Sequence, residues 1–399
     1  MKKLMILGGS RYILPVIDAA HKLGIYVITA DYLPDNIAHK YSDEYVNVSI
    51  IDKEAVLFEA KQRKIDGIMS FACDPGVVTC AFVAEQLHLP SVGSYESVSI
   101  LQNKGRFRKF LTDNGFNVPV SKSFKNIDDA LSSSDIFNWP VIVKPTDSAG
   151  SKGVSKVDDK NHLKEAILKA LTYSHCGEFI IEDFLEQKGF SSDSDCFSVN
   201  GKMVFYSFSS QRFDKECENP YAPSAYSWPS SISERQQDEL KKEIQRLITL
   251  LKLKTSIYNI ETRECINGKA YIMELTPRGG GNRLAEMVKI ATGVDMIKEY
   301  VKFCVGISLD SIEQKPYKTN IAEIILHSKK RGIFKELLLG ESIKRNVLEV
   351  DLWVKQGARV GGFSGANEAI GTLVLSFDNQ LDLDNALSHQ EQLIKVVLE

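Results

Sequence analysis

The sequence predicts an α/β protein that opens with a doubly wound parallel sheet. Three observations predict it. Short apolar strands alternate with amphipathic helices through the first hundred residues, a βαβ pattern that implies parallel strands with helical crossovers. Leu4-Met5-Ile6-Leu7 is an unbroken apolar run and reads as a buried first strand. At 399 residues the chain is too long for one hydrophobic core, so two or three packed domains are expected.

The elements follow in order. Leu4–Leu7 is a strand, Ile13–Leu23 an amphipathic helix and Tyr26–Ala30 a second strand ending in Asp31. A helix over Lys53–Gln62, the strand Gly67–Ser70 and a helix over Val77–Leu87 complete the first region, residues 1–100. Gly8-Gly9-Ser10 lacks the full GxGxxG spacing of a dinucleotide site. That leaves a plain tight turn or part of another ligand's pocket. In the second region Lys104–Asn114 is helical and ends at Gly115, and Trp139–Lys144 is a strand opening a loop of small residues. Asn200-Gly201 marks a hairpin with a type I′ turn. Ser233 and Gln236 spell a capping box before a helix whose stripe of Leu240, Ile244, Leu247, Ile248 and Leu251 is core.

Composition excludes several classes of function. A net charge of −3 gives no electrostatic reason to expect nucleic acid or a membrane surface as partner. The seven cysteines contain no CxxC pair and are odd in number. They argue against a disulfide framework or zinc site and for a reducing, cytoplasmic location. The N-terminal apolar run is too short for a signal peptide or membrane span.

Residues 258–278 carry the most information. Asn267-Gly268 reads as a two-residue hairpin turn, which places Glu261 opposite Glu274 and Asn259 opposite Thr276 on one face. Ile260, Met273 and Leu275 point to the other face. Two carboxylates with Cβ atoms roughly 5 Å apart repel each other. Either a divalent cation lies between them, and oxygen ligands suit magnesium, or the face is solvated and each glutamate pairs with a lysine. Upstream, Val141-Ile142-Val143-Lys144 is a strand delivering a lysine, followed by the loop Thr146–Gly153. Such a loop can close over phosphates with backbone N–H groups and hydroxyls. Phe179–Glu186 is an apolar strand breaking into acids, either a strand end or a hinge over an adenine ring.

Taken in this order, the motifs resemble the ATP-grasp superfamily. Within it the chain is similar to the branch of glycinamide ribonucleotide synthetase, amino-acid ligases and the carbamoyl-phosphate synthetase large chain, especially over Glu274–Gly281. The resemblance implies a two-lobed ATP-grasp α+β domain over residues 101–310, divided at about 180, and a small α+β segment over 311–399. It also implies ATP as cosubstrate and two magnesium ions. Lys104 and Lys144 would contact the phosphates under the loop of Ser148, Gly150, Ser151 and Gly153. Glu182 and the chain at Asp183, Phe184 and Leu185 would hold the adenine. Glu261 and Glu274, with Thr276, would bind magnesium, and Arg278 would steady the transferred phosphoryl group. The implied reaction joins a small-molecule carboxylate to an amine through an acyl phosphate, releasing ADP and phosphate. Bicarbonate activation of the carboxylase type and ATP binding without turnover are the alternatives.

Two positions depart from the family's pattern. Thr276 stands where an asparagine is usual, and Asn259 opposite it is a candidate to supply the amide. No clear ribose-binding glutamate follows the hinge, where Glu186 and Asp193 are the candidates. Arg212 and Arg359 are candidates to clamp a substrate carboxylate. The identity of the substrates and the oligomeric state, a homo-oligomer included, are left open.

Overall fold

The structure is a computed structural model describing residues 1–399. The N-terminal sheet contains β1 (Lys3–Leu7), β2 (Tyr26–Asp31), β3 (Glu44–Asn47) and β4 (Gly67–Ser70), all parallel, in the order β3-β2-β1-β4. Its apolar first strand is explained by burial on both faces. Leu4 and Ile6 pack with Ile13, Val16 and Ile17 of the first helix, while Met5 and Leu7 pack with Val56, Leu57 and Val83 on the other side. Unbroken apolar strands are what a sheet covered on both faces requires.

A second, antiparallel sheet follows: β5 (Ser121–Phe124), β6 (Val141–Pro145), β7 (Ser155–Val157) and β8 (Phe179–Asp183), in the order β5-β8-β6-β7. Next along the chain are β9 (Ser192–Val199), β10 (Lys202–Phe205), β11 (Ser210–Phe213), β12 (Pro223–Trp228), β13 (Ser256–Glu264) and β14 (Ala270–Thr276). A third sheet takes β10-β9-β13-β14. The turn between β9 and β10 has Asn200 at φ 51° and Gly201 at φ 79°, the two left-handed residues that a type I′ turn needs.

The last strands are β15 (Asn320–Leu326), β16 (Gly332–Leu339), β17 (Val347–Leu352), β18 (Arg359–Val360), β19 (Gly371–Phe377) and β20 (Ile394–Leu398). Three of them join β11 and β12 in a five-stranded sheet, β11-β12-β15-β19-β17. The expected boundary at residue 310 therefore cuts through a sheet: Ala225–Trp228 of β12 pair directly with Ile321–Ile324 of β15. Strand order here depends on long-range pairing, to which local periodicity is blind.

Two local expectations need correction. Ser233 is the N-cap of the helix Glu234–Leu250, but its side chain makes no capping bond. The Glu264 carboxylate instead accepts from the Ser233 amide at 3.0 Å, and Gln236 donates to the Gly268 carbonyl at 2.7 Å. The helix start is satisfied from the neighbouring hairpin rather than from within. That hairpin does not turn in two residues either. Cys265 pairs with Lys269 around a three-residue loop, with Gly268 at φ 76° and its amide donating to the Cys265 carbonyl at 2.9 Å. Near the turn Thr262 therefore faces Ile272, and a bulge at Met273 shifts the pairing so that Glu261 faces Glu274 and Asn259 faces Thr276. Bulge and longer turn cancel. Met273 is half-buried, unlike Leu275 beside it.

One buried ion cluster ties these layers together. Arg108, on the helix Lys104–Asp113, donates from Nε to Glu182 Oε1 at 2.7 Å and from Nη1 to the bulged Met273 carbonyl at 2.8 Å. Lys144 Nζ takes the other Glu182 oxygen at 2.7 Å. Burial alone would raise the Glu182 pKa, yet Arg108 and Lys144 hold it down to about 2 from an ordinary 4.5. Removing one member of a buried cluster leaves an unpaired charge, which costs about 3–5 kcal/mol. Glu182→Gln should lower stability by about that amount at neutral pH, read by chemical denaturation. A folded pKa below the unfolded one stabilises above the unfolded value. The difference between wild type and variant should therefore shrink as the pH falls from 4.5 toward 2.

Candidate active site

The helix Lys104–Asp113 bridges the second and third sheets, through the Arg108 bonds to Glu182 and to the Met273 carbonyl. Asn103 caps that helix, its side chain accepting from the Arg106 amide at 2.9 Å. Lys104 at its first position stretches between the Glu274 carboxylate, 3.0 Å away, and the Ser148 carbonyl at 2.9 Å. The lysine thus joins the small-residue loop to the acidic hairpin. Burial works against its charge, but Glu274 raises its pKa above the ordinary value. Burial pushes Lys144 down despite Glu182.

Across the third sheet the acids form a row. β9 pairs with β13 so that Asp193 faces Glu261, and Glu261 faces Glu274 on β14. The next row is Asp195, Asn259 and Thr276. Asp193 and Asp195 were invisible as partners of Glu261 and Asn259. Their signal is the alternation Ser192-Asp193-Ser194-Asp195, which puts two acids on one face just before Cys196 and Phe197. Burial and the Glu261 charge push Asp193 up to about 7. Burial does the same to Asp195, although it accepts from the Gly280 amide at 2.9 and 3.1 Å. Glu261 is raised by burial, which Arg263 opposes, and by Glu274. Its nearest cation, Arg263, is 3.5 Å away. Glu274 lies below its usual range because Lys104 and Lys144 outweigh burial.

Arg278 closes the end of the row. Its Nε and Nη2 grip Asp74 at 2.7–3.0 Å, and Nη1 donates to Asn259 Oδ1 at 3.1 Å and to the Gly279 carbonyl at 2.9 Å. Asp74 comes from the N-terminal region, just past the C-terminal end of β4, where ligands bind in open parallel sheets. The following glycine is needed for this approach, since a Cβ on Gly279 would lie 2.0 Å from the Phe71 ring. Asn259 is not a free amide ligand. Its oxygen is held by Arg278, and its nitrogen donates to Asp193 at 2.6 Å. The Thr276 hydroxyl accepts from Gln102 at 3.3 Å.

The remaining candidates separate. Gly150 and Gly153 both have positive φ, at 68° and 71°, and Ser151 donates to the Tyr221 carbonyl at 3.1 Å. A Cβ on Gly153 would press on Tyr173 at 2.9 Å, whereas one on Gly150 meets nothing. Glu182 has both oxygens committed to Arg108 and Lys144, so it orients the lysine rather than reaching outward. Asp183 holds Asn138 by two bonds, 2.9 and 2.8 Å, and the Phe184 amide donates to the Pro140 carbonyl at 3.0 Å. The Leu185 carbonyl accepts from Arg263 at 3.2 Å. Glu186 is exposed. Arg212 is spent on Ser227 and Asp384, and Arg359 is exposed on an edge strand of the separate β18-β16-β20 sheet. Neither joins the acidic row. Arg108 and Asp74 went unnoticed in the sequence. Arg108 had a signal, an arginine between Phe107 and Leu111 on a helix's apolar side.

No helix is long and apolar enough to cross a membrane. A family profile described as an ATP-grasp domain matches residues 137–286. The carbamoyl phosphate synthase large chain of Pseudothermotoga lettingae is 27% identical over 301 residues, which is 74% of this chain and 27% of that protein. This chain spans about a fifth to a third of the length of the large chains it matches. Among solved structures, an L-amino acid ligase from Bacillus licheniformis superposes with a TM-score of 0.82 at 20% identity, covering 100% of this chain and 99% of that one. Phosphoribosylglycinamide synthetase from Anaerococcus prevotii gives 0.78 at 20% identity, with both chains fully covered. At these identities the superpositions establish the fold, and the sequence match establishes the domain. Residues 137–286 therefore form an ATP-grasp domain, in a chain that resembles the ATP-grasp superfamily over most of its length.

Proposed function

We propose that this chain is an ATP- and magnesium-dependent carboxylate–amine ligase that works through an acyl phosphate and releases ADP and phosphate. The observation that carries the reading is the row Asp193–Glu261–Glu274, three carboxylates from three adjacent strands, flanked by Lys104 and Arg278. Like charges directly opposite each other weaken a sheet. This row keeps them side by side and partly desolvated, an all-oxygen donor set that fits a hard divalent cation. Magnesium at Glu261 and Glu274, with Thr276 as a neutral neighbour, would neutralise the charge of a triphosphate.

The residues divide the remaining work. Adenine would lie at the hinge after β8, against the chain at Asp183–Leu185. Lys144, oriented by Glu182, and Lys104 face the phosphates as fixed cations. The loop carrying Ser148, Gly150, Ser151 and Gly153 covers them and excludes water, which would hydrolyse an acyl phosphate. Arg278 is aimed by Asp74 and Asn259 toward the end of the acidic row, where charge develops as the γ-phosphoryl group moves to a carboxylate oxygen. The amine then attacks the acyl carbon and phosphate leaves. Bicarbonate in place of the organic acid would use the same ATP machinery.

Two experiments bear on this. Glu261→Gln removes the least well paired charge of the row, so its melting temperature without metal should equal or exceed that of wild type. Wild type should gain stability when magnesium is added to the ADP complex, and Glu261→Gln should lose that increment and turnover with it. An equal magnesium increment in both proteins would remove Glu261 from the metal site. For the loop, Gly153→Ala should weaken ADP binding more than Gly150→Ala, because only the first adds a clash to the cost of a left-handed backbone. Calorimetry giving the same affinity for both would take the loop out of nucleotide binding.

A further inference from the structure

Glu323 lies at the centre of the five-stranded sheet, fully buried, with no hydrogen-bond partner for either carboxylate oxygen. A buried carboxylate left unpaired is costly, and proteins keep few of them. Its surroundings deepen the anomaly. Arg283, the cation that acts on Glu323, is already committed to Thr372 at 2.9 Å, to Glu286 at 3.2 Å and to Glu349 at 2.8 Å. Asp351 accepts from the Trp353 indole at 2.7 Å. Two other carboxylates, Glu286 and Glu349, thus hold the arginine, and it makes no hydrogen bond to Glu323.

The carboxylate sits beside the active site. Tyr226 of β12 is its direct cross-strand partner. The Tyr226 hydroxyl donates to Asp193 at 3.3 Å and accepts from Asn282 at 3.2 Å. Asn282 in turn accepts from the Tyr12 hydroxyl at 3.1 Å. Tyr12 is thus linked through Asn282 to Tyr226, the cross-strand partner of Glu323. Tyr12 is only half-buried and belongs to the Gly8–Tyr12 stretch, where the Ser10 hydroxyl is also buried without a partner. Asn282 and Arg283, consecutive non-glycine residues, hold left-handed backbones at φ 51° and 57°, a strained arrangement that clusters at ligand sites.

We propose that Glu323 is the anchor of a substrate ammonium group, in a subsite walled by Tyr12, Tyr226 and Asn282. A divalent cation is the poorer fit, because it wants six or more oxygens and the neighbouring carboxylates are spent on Arg283 and Trp353. An ammonium needs one counter-charge and a few acceptors, here a carboxylate and hydroxyls. An ammonium held this way keeps its proton and cannot be the attacking amine. On the ligase reading, on which this step rests, it belongs to the acid being activated, an amino acid whose carboxylate points past Tyr226 toward the acidic row.

The test uses binding without turnover, on the full chain with ADP and magnesium. Thermal denaturation is followed with the common L-amino acids and with des-amino partners, such as propionate for alanine and 3-phenylpropionate for phenylalanine. At least one amino acid should raise the melting temperature while its des-amino partner does not. Glu323→Gln should keep the ADP-induced shift and lose the amino-acid shift, with affinity down about 10- to 100-fold by calorimetry. If that variant does not fold, Glu323→Asp should still prefer the amino acid to its des-amino partner, at reduced affinity. No response to any amino acid, a response that survives Glu323→Gln, or loss of the preference in Glu323→Asp overturns the proposal. So does a Glu323-dependent shift with magnesium or calcium alone. Amino-acid binding without ADP release would overturn the ligase reading and leave the subsite standing.

Discussion

Arg108 is the point at which the second and third sheets are held together. One guanidinium reaches Glu182 on β8 and the bulged Met273 carbonyl on β14. Everything around the proposed ATP site depends on these two contacts. The first fixes the carboxylate that orients Lys144. The second pins the bulge that brings Glu274 level with Glu261. A guanidinium suits this post because its planar fork can serve two acceptors at once and its charge survives burial.

The charges then arrange themselves by distance from water and from one another. Glu274 is held anionic by Lys104, while Glu261, Asp193 and Asp195 are pushed toward neutrality. Such a split among neighbouring carboxylates marks a site waiting for positive charge. The N-terminal region contributes through Asp74, which steers Arg278, so the doubly wound sheet is part of the site's wall. On the proposed reading, the C-terminal strands lend Glu323 to the same site, through its cross-strand partner Tyr226.

Local patterns were legible because their cause is local. The unbroken apolar run of β1 and the stripe of the Glu234–Leu250 helix read correctly, and so did the Asn200-Gly201 turn, since each depends on neighbours within a few residues. The pairing of Glu261 with Glu274 was also read correctly, but by two deviations that cancel: a longer turn and a bulge. Neither leaves a mark in the hairpin's own residues, because the Met273 carbonyl is captured by an arginine 165 positions away. The same distance hid Asp193, Asp195 and Asp74. Their roles come from strand order and domain contact, which periodicity does not encode. The capping box at Ser233 failed for a related reason: Glu264, from another element, reached the helix start first.

The central claim is that ATP's γ-phosphoryl group passes to a substrate carboxylate. Hydroxylamine tests it most directly, since this small nucleophile traps an acyl phosphate with little recognition by an acceptor site. With a carboxylate that binds, plus ATP and magnesium, the wild-type chain should form a hydroxamate and an equal amount of ADP. Hydroxamate accompanied by AMP and pyrophosphate would contradict the account, because attack would then fall on the α-phosphorus, away from Arg278 and the acidic row.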